Sequence, residues 1–483
     1  MIRRLRKAAL LIGPSIGVVV PFLLDSPDHP KAPLMLGIAL WMALWWMTEC
    51  APLAVTALLP LVAFPLTGIA TAKETAPRYM TSIMFLFLGG FLIAQAMERT
   101  GLHRRIALLI LSRWHASLLQ IFMGFSGATA FLSMWISNTA TTMLMATIAM
   151  AVIARLDRQL PSKEMKVVTP TLLLTVAYSA NIGGMGTPVG TVPNLIFLET
   201  INTHDPEHAI SFLQWMALGI PIVFAGLTVL YLLLGRLVRK MPWTASAVGS
   251  LEEEIRQLGP FRREERFVAW VLGITALAWM TRKGIVAEGF TLPGWSALLP
   301  YPGVDDGTVA IAAALFLFLV PVKEGNPVLD REAFGRLPWG IMILLGGGFA
   351  LAMGMQRSGL SGVMGSQLAF LTEVSVPLMM FGIALGVTFL TEITSNTATT
   401  QVLLPILAAV ALGSGHDMTL LLATATLSAS CAFMLPVATP PNAIVFGTER
   451  IPMQTMIKTG LRLNLIMPFV IVGVVLLIRP FLP

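Results

Sequence analysis

The sequence predicts an all-α polytopic membrane protein made of two inverted repeats, with about eleven transmembrane helices and two re-entrant helical hairpins. Three observations predict it. The 483 residues are 56% hydrophobic and 12% charged, about half the charged share of an ordinary soluble domain. Apolar runs of spanning length recur from end to end. A polar hexapeptide, Ser-Asn-Thr-Ala-Thr-Thr, occurs twice without change, each time in the middle of a further apolar stretch. This composition excludes a soluble enzyme and a long disordered tail. The net charge of +7 reads as basic residues gathered at the cytoplasmic ends of spans, with no nucleic-acid partner.

Arg3, Arg4, Arg6 and Lys7 precede an apolar run to Leu24. No small-residue cleavage pattern follows, so this is read as a retained first span rather than a signal peptide. Hydropathy places further spans near 34–50, 52–70 and 82–98. Segment 99–115, with Arg99, Arg104, Arg105 and Arg113 among Leu and Ile, reads as an amphipathic helix along the cytoplasmic face. In 116–154 each arm beside the polar hexapeptide has about 13–17 residues, short for ~30 Å of hydrocarbon at ~1.5 Å per residue, so the segment is expected to form a re-entrant hairpin. Spans follow at 166–200 and 211–235, then a charged linker at 236–266 expected to be solvated. Spans at 267–282, 307–321 and 339–356 lead to a connector at 357–375, a second hairpin at 376–413, and spans at 418–447 and 464–482. The pieces at 166–200 and 418–447 are overlong and interrupted. Gly183, Gly184, Gly186, Pro188, Gly190 and Pro193 are expected to unwind the first around 187–194, and Pro436, Pro440 and Pro441 the second. With this arrangement 25 of the 32 Lys and Arg fall on the N-terminal side and 7 on the other, which puts the N-terminus in the cytoplasm and the C-terminus outside. Arg282 and Lys283 are the awkward pair.

The repeated hexapeptide runs Ser137 to Thr142 and Ser395 to Thr400, an offset of 258. The same offset carries Gly89-Gly90-Phe91 onto Gly347-Gly348-Phe349, and Arg99-x-Gly101-Leu102 onto Arg357-x-Gly359-Leu360. Thr191-Val192-Pro193-Asn194 matches Thr439-Pro440-Pro441-Asn442 at offset 248. This is a duplicated half-protein. With the first helix set aside, each half has five spans, and an odd number makes the halves point oppositely. Inverted repeats with broken helices at the midplane are the signature of a secondary transporter. Ser, Asn and Thr are strong helix N-cap residues, so each tip opens the second arm with free N–H groups and a positive dipole end toward an anion. Unpaired carbonyls ending the preceding arm suit a hard cation such as Na⁺. Ser133 and Thr391, one helical turn back, add a hydroxyl each. Two such tips meeting from opposite sides suit a dicarboxylate.

The runs Ser133–Thr141, Thr391–Thr399, Gly190–Asn194 and Ala438–Asn442 resemble those of the divalent anion/sodium symporter family, over essentially the whole chain. The resemblance implies a homodimer of elevator-type carriers that import succinate- or malate-like di- or tricarboxylates with sodium ions, in a bacterial inner membrane. It implies a first sodium site of Ser133, Ser137, Asn138 and Gly190, and a second of Thr391, Ser395, Asn396 and Ala438. Substrate would meet Asn138, Thr139, Thr191, Ser395, Asn396, Thr397 and Thr439. Segments 1–98 and 267–356 would be scaffold, and 116–235 and 376–483 the moving transport parts, linked through 99–115, 236–266 and 357–375. The chain departs from the family pattern at Val192, where a second proline is usual. The rivals are a sodium-independent dicarboxylate or citrate/tartrate exchanger of the same fold, a sulfate carrier, an intramembrane enzyme and a passive channel. No cluster of His, Cys, Asp or Glu at matching depth supports the enzyme.

Other candidates receive plainer readings. Glu392 stands behind the second site or carries a coupling proton. Glu49, before Pro52 at a helix junction, is read as a cap or a buried hydrogen-bonding residue, and Glu98 is solvated at a span end. Arg99 and Arg357, each two before a glycine, cap helix C-termini. His204 and His208 have metal-like spacing but flank Pro206, so a solvated loop is expected. Gly346-Gly347-Gly348 follows no strand and is no phosphate loop. Cys50 and Cys431 are small buried hydrophobes.

Overall fold

The computed structural model describes residues 2–24, 26–114, 116–206, 209–239, 241, 249–287, 290–301, 303–323, 325–367 and 373–482. His208 and parts of the 236–266 linker and the 357–375 connector lie outside them. The first described elements are α1 (Ile2–Leu23), α2 (Ala32–Thr48), the short α3 (Leu53–Thr56) and α4 (Leu59–Thr67), α5 (Ala72–Thr75) and α6 (Ser82–Thr100). Next come α7 (Leu102–Leu111), α8 (Leu118–Ser133), α9 (Asn138–Leu156), α10 (Ser162–Gly183), α11 (Val192–His204) and α12 (Phe212–Leu230). A π segment, Tyr231–Gly235, runs on into α13 (Arg236–Val238), and α14 (Gly249–Leu258) precedes α15 (Arg263–Arg282). The second half continues with α16 (Asp306–Leu319), α17 (Arg331–Gly335), α18 (Trp339–Arg357), α19 (Leu360–Gln367) and α20 (Val376–Leu390). It ends with α21 (Asn396–Ser414), α22 (Met418–Ala429), α23 (Pro440–Phe446) and α24 (Met453–Ile478).

Among the described residues the regular structure is helical, apart from two small antiparallel ribbons that the sequence did not suggest. In these, β1 (Ile285–Ala287) pairs with β2 (Phe290–Leu292), and β3 (Pro321–Lys323) with β4 (Asn326–Pro327). Each of the eleven expected spans has a helix or a broken pair of helices, and each expected hairpin has two arms. Among the described residues, eight helical segments are long and apolar enough to cross a membrane, and six more apolar helices are shorter. The long set includes α9, α10 and α21, and the shorter set includes α2, α16 and α22. The second hairpin arms, α9 and α21, have 19 residues each, more than the expected 13–17 and long and apolar enough to cross a membrane, so their length does not carry the re-entrant reading.

Identical local chemistry ends equivalent helices in the two halves. Gly101 and Gly359, both at φ +79°, terminate α6 and α18, in the left-handed region that glycine adopts without a Cβ clash. The arginines two residues earlier do not cap. Arg99 pairs with Asp330 at 2.5 Å and Arg357 with Glu74 at 2.8 Å, because the glycine N–H already occupies the terminal carbonyl and the long side chains reach other elements. The guanidinium of Arg99 holds the Asp330 carboxyl down to about 2. Glu98 is exposed. The awkward Arg282 and Lys283 are both bonded, Arg282 to Asp306 at 2.5 Å and Lys283 to the Ala209 carbonyl at 2.8 Å.

Helix α7 buries Leu102, Leu108 and Leu111 and is amphipathic as expected. Its Arg105 is not surface charge. It is 5% exposed, pairs with the fully buried Glu265 at 3.0 Å, donates to the carbonyls of Leu258, Gly259 and Pro260, and lies over the Phe261 ring. The linker expected to be solvated is therefore clamped here, because Arg105 needs a buried acid and finds it at the start of α15.

Helices approach one another closely at small residues, as membrane packing requires. A Cβ at Gly183 would lie 2.4 Å from the Ala130 carbonyl oxygen, one at Gly347 2.4 Å from that of Ala57, and one at Gly460 2.3 Å from that of Phe433. The triplet Gly346-Gly347-Gly348 is thus a packing surface inside α18.

Candidate functional site

Each hairpin tip is a helix end followed at once by a helix start. Helix α8 stops at Ser133, and Ser137 caps α9 by accepting from the Ala140 N–H at 3.2 Å. Helix α20 stops at Leu390, and Ser395 precedes α21 in the same extended conformation, without a side-chain cap bond. Behind each tip lies the same oxygen cluster. Ser133 Oγ is 2.6 Å from Asn138 Oδ1 and 2.8 Å from the Ala180 carbonyl oxygen. Thr391 Oγ1 is 2.6 Å from Asn396 Oδ1 and 2.9 Å from the Ala429 carbonyl oxygen. Both hydroxyls are fully buried. Three oxygens converge with one proton among them, an excess of acceptor that suits a hard cation better than a hydrogen-bond network.

The interrupted helices meet the tips. The first break lies at 184–191, not 187–194, and α11 begins at Val192. Pro193 is in its first turn, and so are Pro440 and Pro441 in α23. These prolines start helices rather than unwind them, since a first-turn residue needs no N–H partner. Val192 leaves the backbone unaltered: Thr191 sits at φ −150°, ψ 149° and Thr439 at φ −142°, ψ 151°. Each break is held by an asparagine. Asn194 donates to the carbonyls of Gly184 and Thr187, and Asn442 to those of Ala432 and Leu435, every partner displaced by the same 248 positions.

Both tips and both breaks line one cavity of about 720 Å³. From the first half it receives Ser137, Asn138, Thr139, Gly190 and Thr191, and from the second Ser395, Asn396, Thr397, Ala438 and Thr439. Ser133 and Thr391 stand just behind the wall. The structure therefore brings together all twelve residues expected from the sequence. The opposite wall comes from α2, α6 and α18, with Phe87, Phe91 and Ile341. Among the described residues lining the cavity, the charged side chains are Arg6 and Glu49, 3.5 Å apart. Glu49 ends α2 as expected, but it is half exposed and faces the cavity instead of being buried.

Three contributors escaped the sequence reading. The carbonyls of Ala180 and Ala429 carry no side-chain signal. Asn181, 1% exposed and on the cavity wall, donates across the halves to Thr439 Oγ1 at 3.2 Å and to the Ala432 carbonyl, and a single Asn in an apolar run gave no hint of that reach. Glu392, 3% exposed, accepts from the backbone N–H groups of Phe433, Met434 and Leu435 and from Asn464 Nδ2, at 2.6–3.0 Å. It fastens the second break against the tip. N–H donors bond both of its oxygens. His204 bonds the Thr200 carbonyl, and no group of three metal-ligating side chains occurs among the described residues. Cys431 is buried and Cys50 half-buried, both free.

Comparison with known proteins places the chain in a family. Residues 7–482 match the family model described as the sodium:sulfate symporter transmembrane region. The sodium-dependent dicarboxylate transporter SdcS of Staphylococcus aureus strain MRSA252 is 40% identical over 481 residues, 98% of this chain and 91% of that protein. SdcS of strain NCTC 8325 / PS 47 is 39% identical over the same length. In fold alone the chain is similar to the crystal structure of the Alcanivorax borkumensis YdaH transporter, with a TM-score of 0.54 at 13% identity, covering 93% of this chain and 98% of that one. With a family model running almost from end to end and the doubled tip motif gathered in one cavity, this chain belongs to the sodium:sulfate symporter family, the divalent anion/sodium symporters.

Proposed function

We propose that this membrane protein imports a small dicarboxylate, succinate- or malate-like, coupled to sodium. The observation that carries the reading is the convergence of two N-cap tips, one from each half, in a single cavity. A dianion held end to end by Asn138, Thr139 and Thr191 on one side and Ser395, Asn396, Thr397 and Thr439 on the other has a donor set for each carboxylate. Two sodium ions occupy the oxygen clusters behind the tips. The first uses Ser133, Ser137, Asn138 and Gly190 with the Ala180 carbonyl, and the second Thr391, Ser395, Asn396 and Ala438 with the Ala429 carbonyl. Each ion fixes the tip whose N–H groups face the substrate, so cation and anion bind cooperatively. The substrate named for the SdcS relatives supports the anion class.

The halves are inverted repeats, and segments 116–235 and 376–483 move as one body against the scaffold of 1–98 and 267–356 by an elevator motion, in a homodimer. The chain resides in a bacterial cytoplasmic membrane with its N-terminus inside. The 25-to-7 division of basic residues supports that orientation. Purified protein in liposomes tests the reading: an inward Na⁺ gradient should drive succinate accumulation, and choline in place of external Na⁺ should abolish it. Uptake that persists in choline and demands internal dicarboxylate would overturn symport in favour of exchange.

A further inference from the structure

The cavity is neutral almost everywhere, yet one cation and one anion stand at its edge. Helices α1 and α2 form a tight pair. Gly13 and Gly17 lie against Trp41, Gly37 lies against the Gly17 backbone, and Trp45 Nε1 donates to the Ala9 carbonyl at 2.9 Å. This packing sets Arg6, near the start of α1, beside the end of α2, where Arg6 Nε donates to the Thr48 carbonyl at 3.2 Å. Glu49, the next residue, has φ +46°, a left-handed conformation that non-glycine residues adopt at a cost. The strained turn holds its carboxylate toward Arg6. The pair itself is loose, at 3.5 Å with the side chains 50% and 49% exposed, longer than a charge-assisted hydrogen bond of about 2.7–2.9 Å.

We infer that Arg6 is an anion-receiving residue at the mouth of the substrate cavity, and that Glu49 is its place-holding counter-ion. A dicarboxylate entering or leaving through this mouth exchanges one carboxylate for Glu49 on the guanidinium before reaching, or after quitting, the tips. The pair neutralises the mouth when no substrate is there, and it opens readily because it is long and half in water. Because the two charges cancel, the mouth gains a net charge, and the rate a dependence on ionic strength, only when one partner is removed. The inference rests on the dicarboxylate reading and adds to it a specificity residue outside the tips.

The test uses the full-length protein in liposomes, with succinate supplied from the face that carries the N-terminus. Arg6→Gln should raise the KM for succinate by about tenfold, the size of one charge-assisted hydrogen bond. It should also leave Glu49 as an unpaired negative charge, so that the rate rises with ionic strength as its repulsion of the anion is screened, and leave the Na⁺ dependence at saturating succinate unchanged. Arg6→Lys should keep most of the wild-type KM. Glu49→Gln should move the KM the other way, since the competitor for the guanidinium is gone. If the pair only braces α1 against α2, Arg6→Gln and Glu49→Gln will shift KM in the same direction, and that result, or an unchanged KM in Arg6→Gln, overturns the inference. Loss of Na⁺-driven succinate uptake by the wild-type protein would instead overturn the reading beneath it.

Discussion

At the scale of single residues, the tips are small oxygen cages. Ser133 and Thr391 occupy the same place in the two halves, and each offers one hydroxyl to an asparagine oxygen and a carbonyl. Thr391→Ala should raise the Na⁺ concentration for half-maximal uptake by roughly tenfold, about 1.4 kcal/mol for one lost ligand, with substrate affinity little changed at saturating Na⁺. Thr391→Ser should behave nearly as wild type, because serine already serves at 133; a Na⁺ titration of both variants checks this. Asn138→Ala or Asn396→Ala removes a side chain that the proposed sites share between ion and substrate, so uptake should be lost while membrane insertion, read by blotting, stays normal. Glu392→Gln puts an NH₂ against N–H donors and leaves a buried mismatch of about 1–3 kcal/mol. It should loosen the second break and lower the melting temperature of the solubilised protein. The tip residues were legible in the sequence because side chains carry their chemistry and the motif is doubled. Ala180 and Ala429 were not, because the position of a backbone carbonyl leaves no trace in residue type.

At the scale of elements, the sequence predicted the order of spans and hairpins well and their ends less well. Prolines in 188–193 and 436–441 marked the broken helices, but whether a proline ends a helix or starts one depends on which N–H groups need partners, and that is set by the surrounding backbone. Close helix contacts were hidden in the same way: Gly347 is a packing glycine only because Ala57 comes to rest on it. Gly347→Ala should therefore destabilise by about 1–3 kcal/mol through overpacking, and Gly362→Ala, with open space around its Cβ position, should be nearly silent; thermal unfolding in detergent compares them. The clamp from α7 to the linker makes a similar prediction. Replacing Glu265 with Gln strands a buried guanidinium at Arg105 and should cost about 3–5 kcal/mol, visible as a lower melting temperature and lower yield.

At the scale of the whole molecule, the two halves make matching hydrogen bonds at matching positions and enclose one cavity between them, with Asn181 reaching from the first half to Thr439 of the second. The proposed topology predicts a labelling pattern. In a variant lacking Cys50 and Cys431, a cysteine at position 31 should react with an impermeant maleimide from outside intact cells. One at position 113 should react only after the membrane is opened. Reversal of that pattern would invert the orientation and place Arg6 on the outer face.

Composition and periodicity by themselves determined that this chain is a multi-pass membrane protein and that its polar tips come as a pair. Lipid rewards apolar length, and duplication copies side chains, so both leave marks that can be read along one dimension. Only the tertiary structure decided that the tips share a cavity, which carbonyls join them, that Arg105 is buried with an acid from the linker, and that Arg6 and Glu49 reach the cavity edge. Each of these depends on distances between residues far apart in the chain, and a linear sequence does not encode them locally.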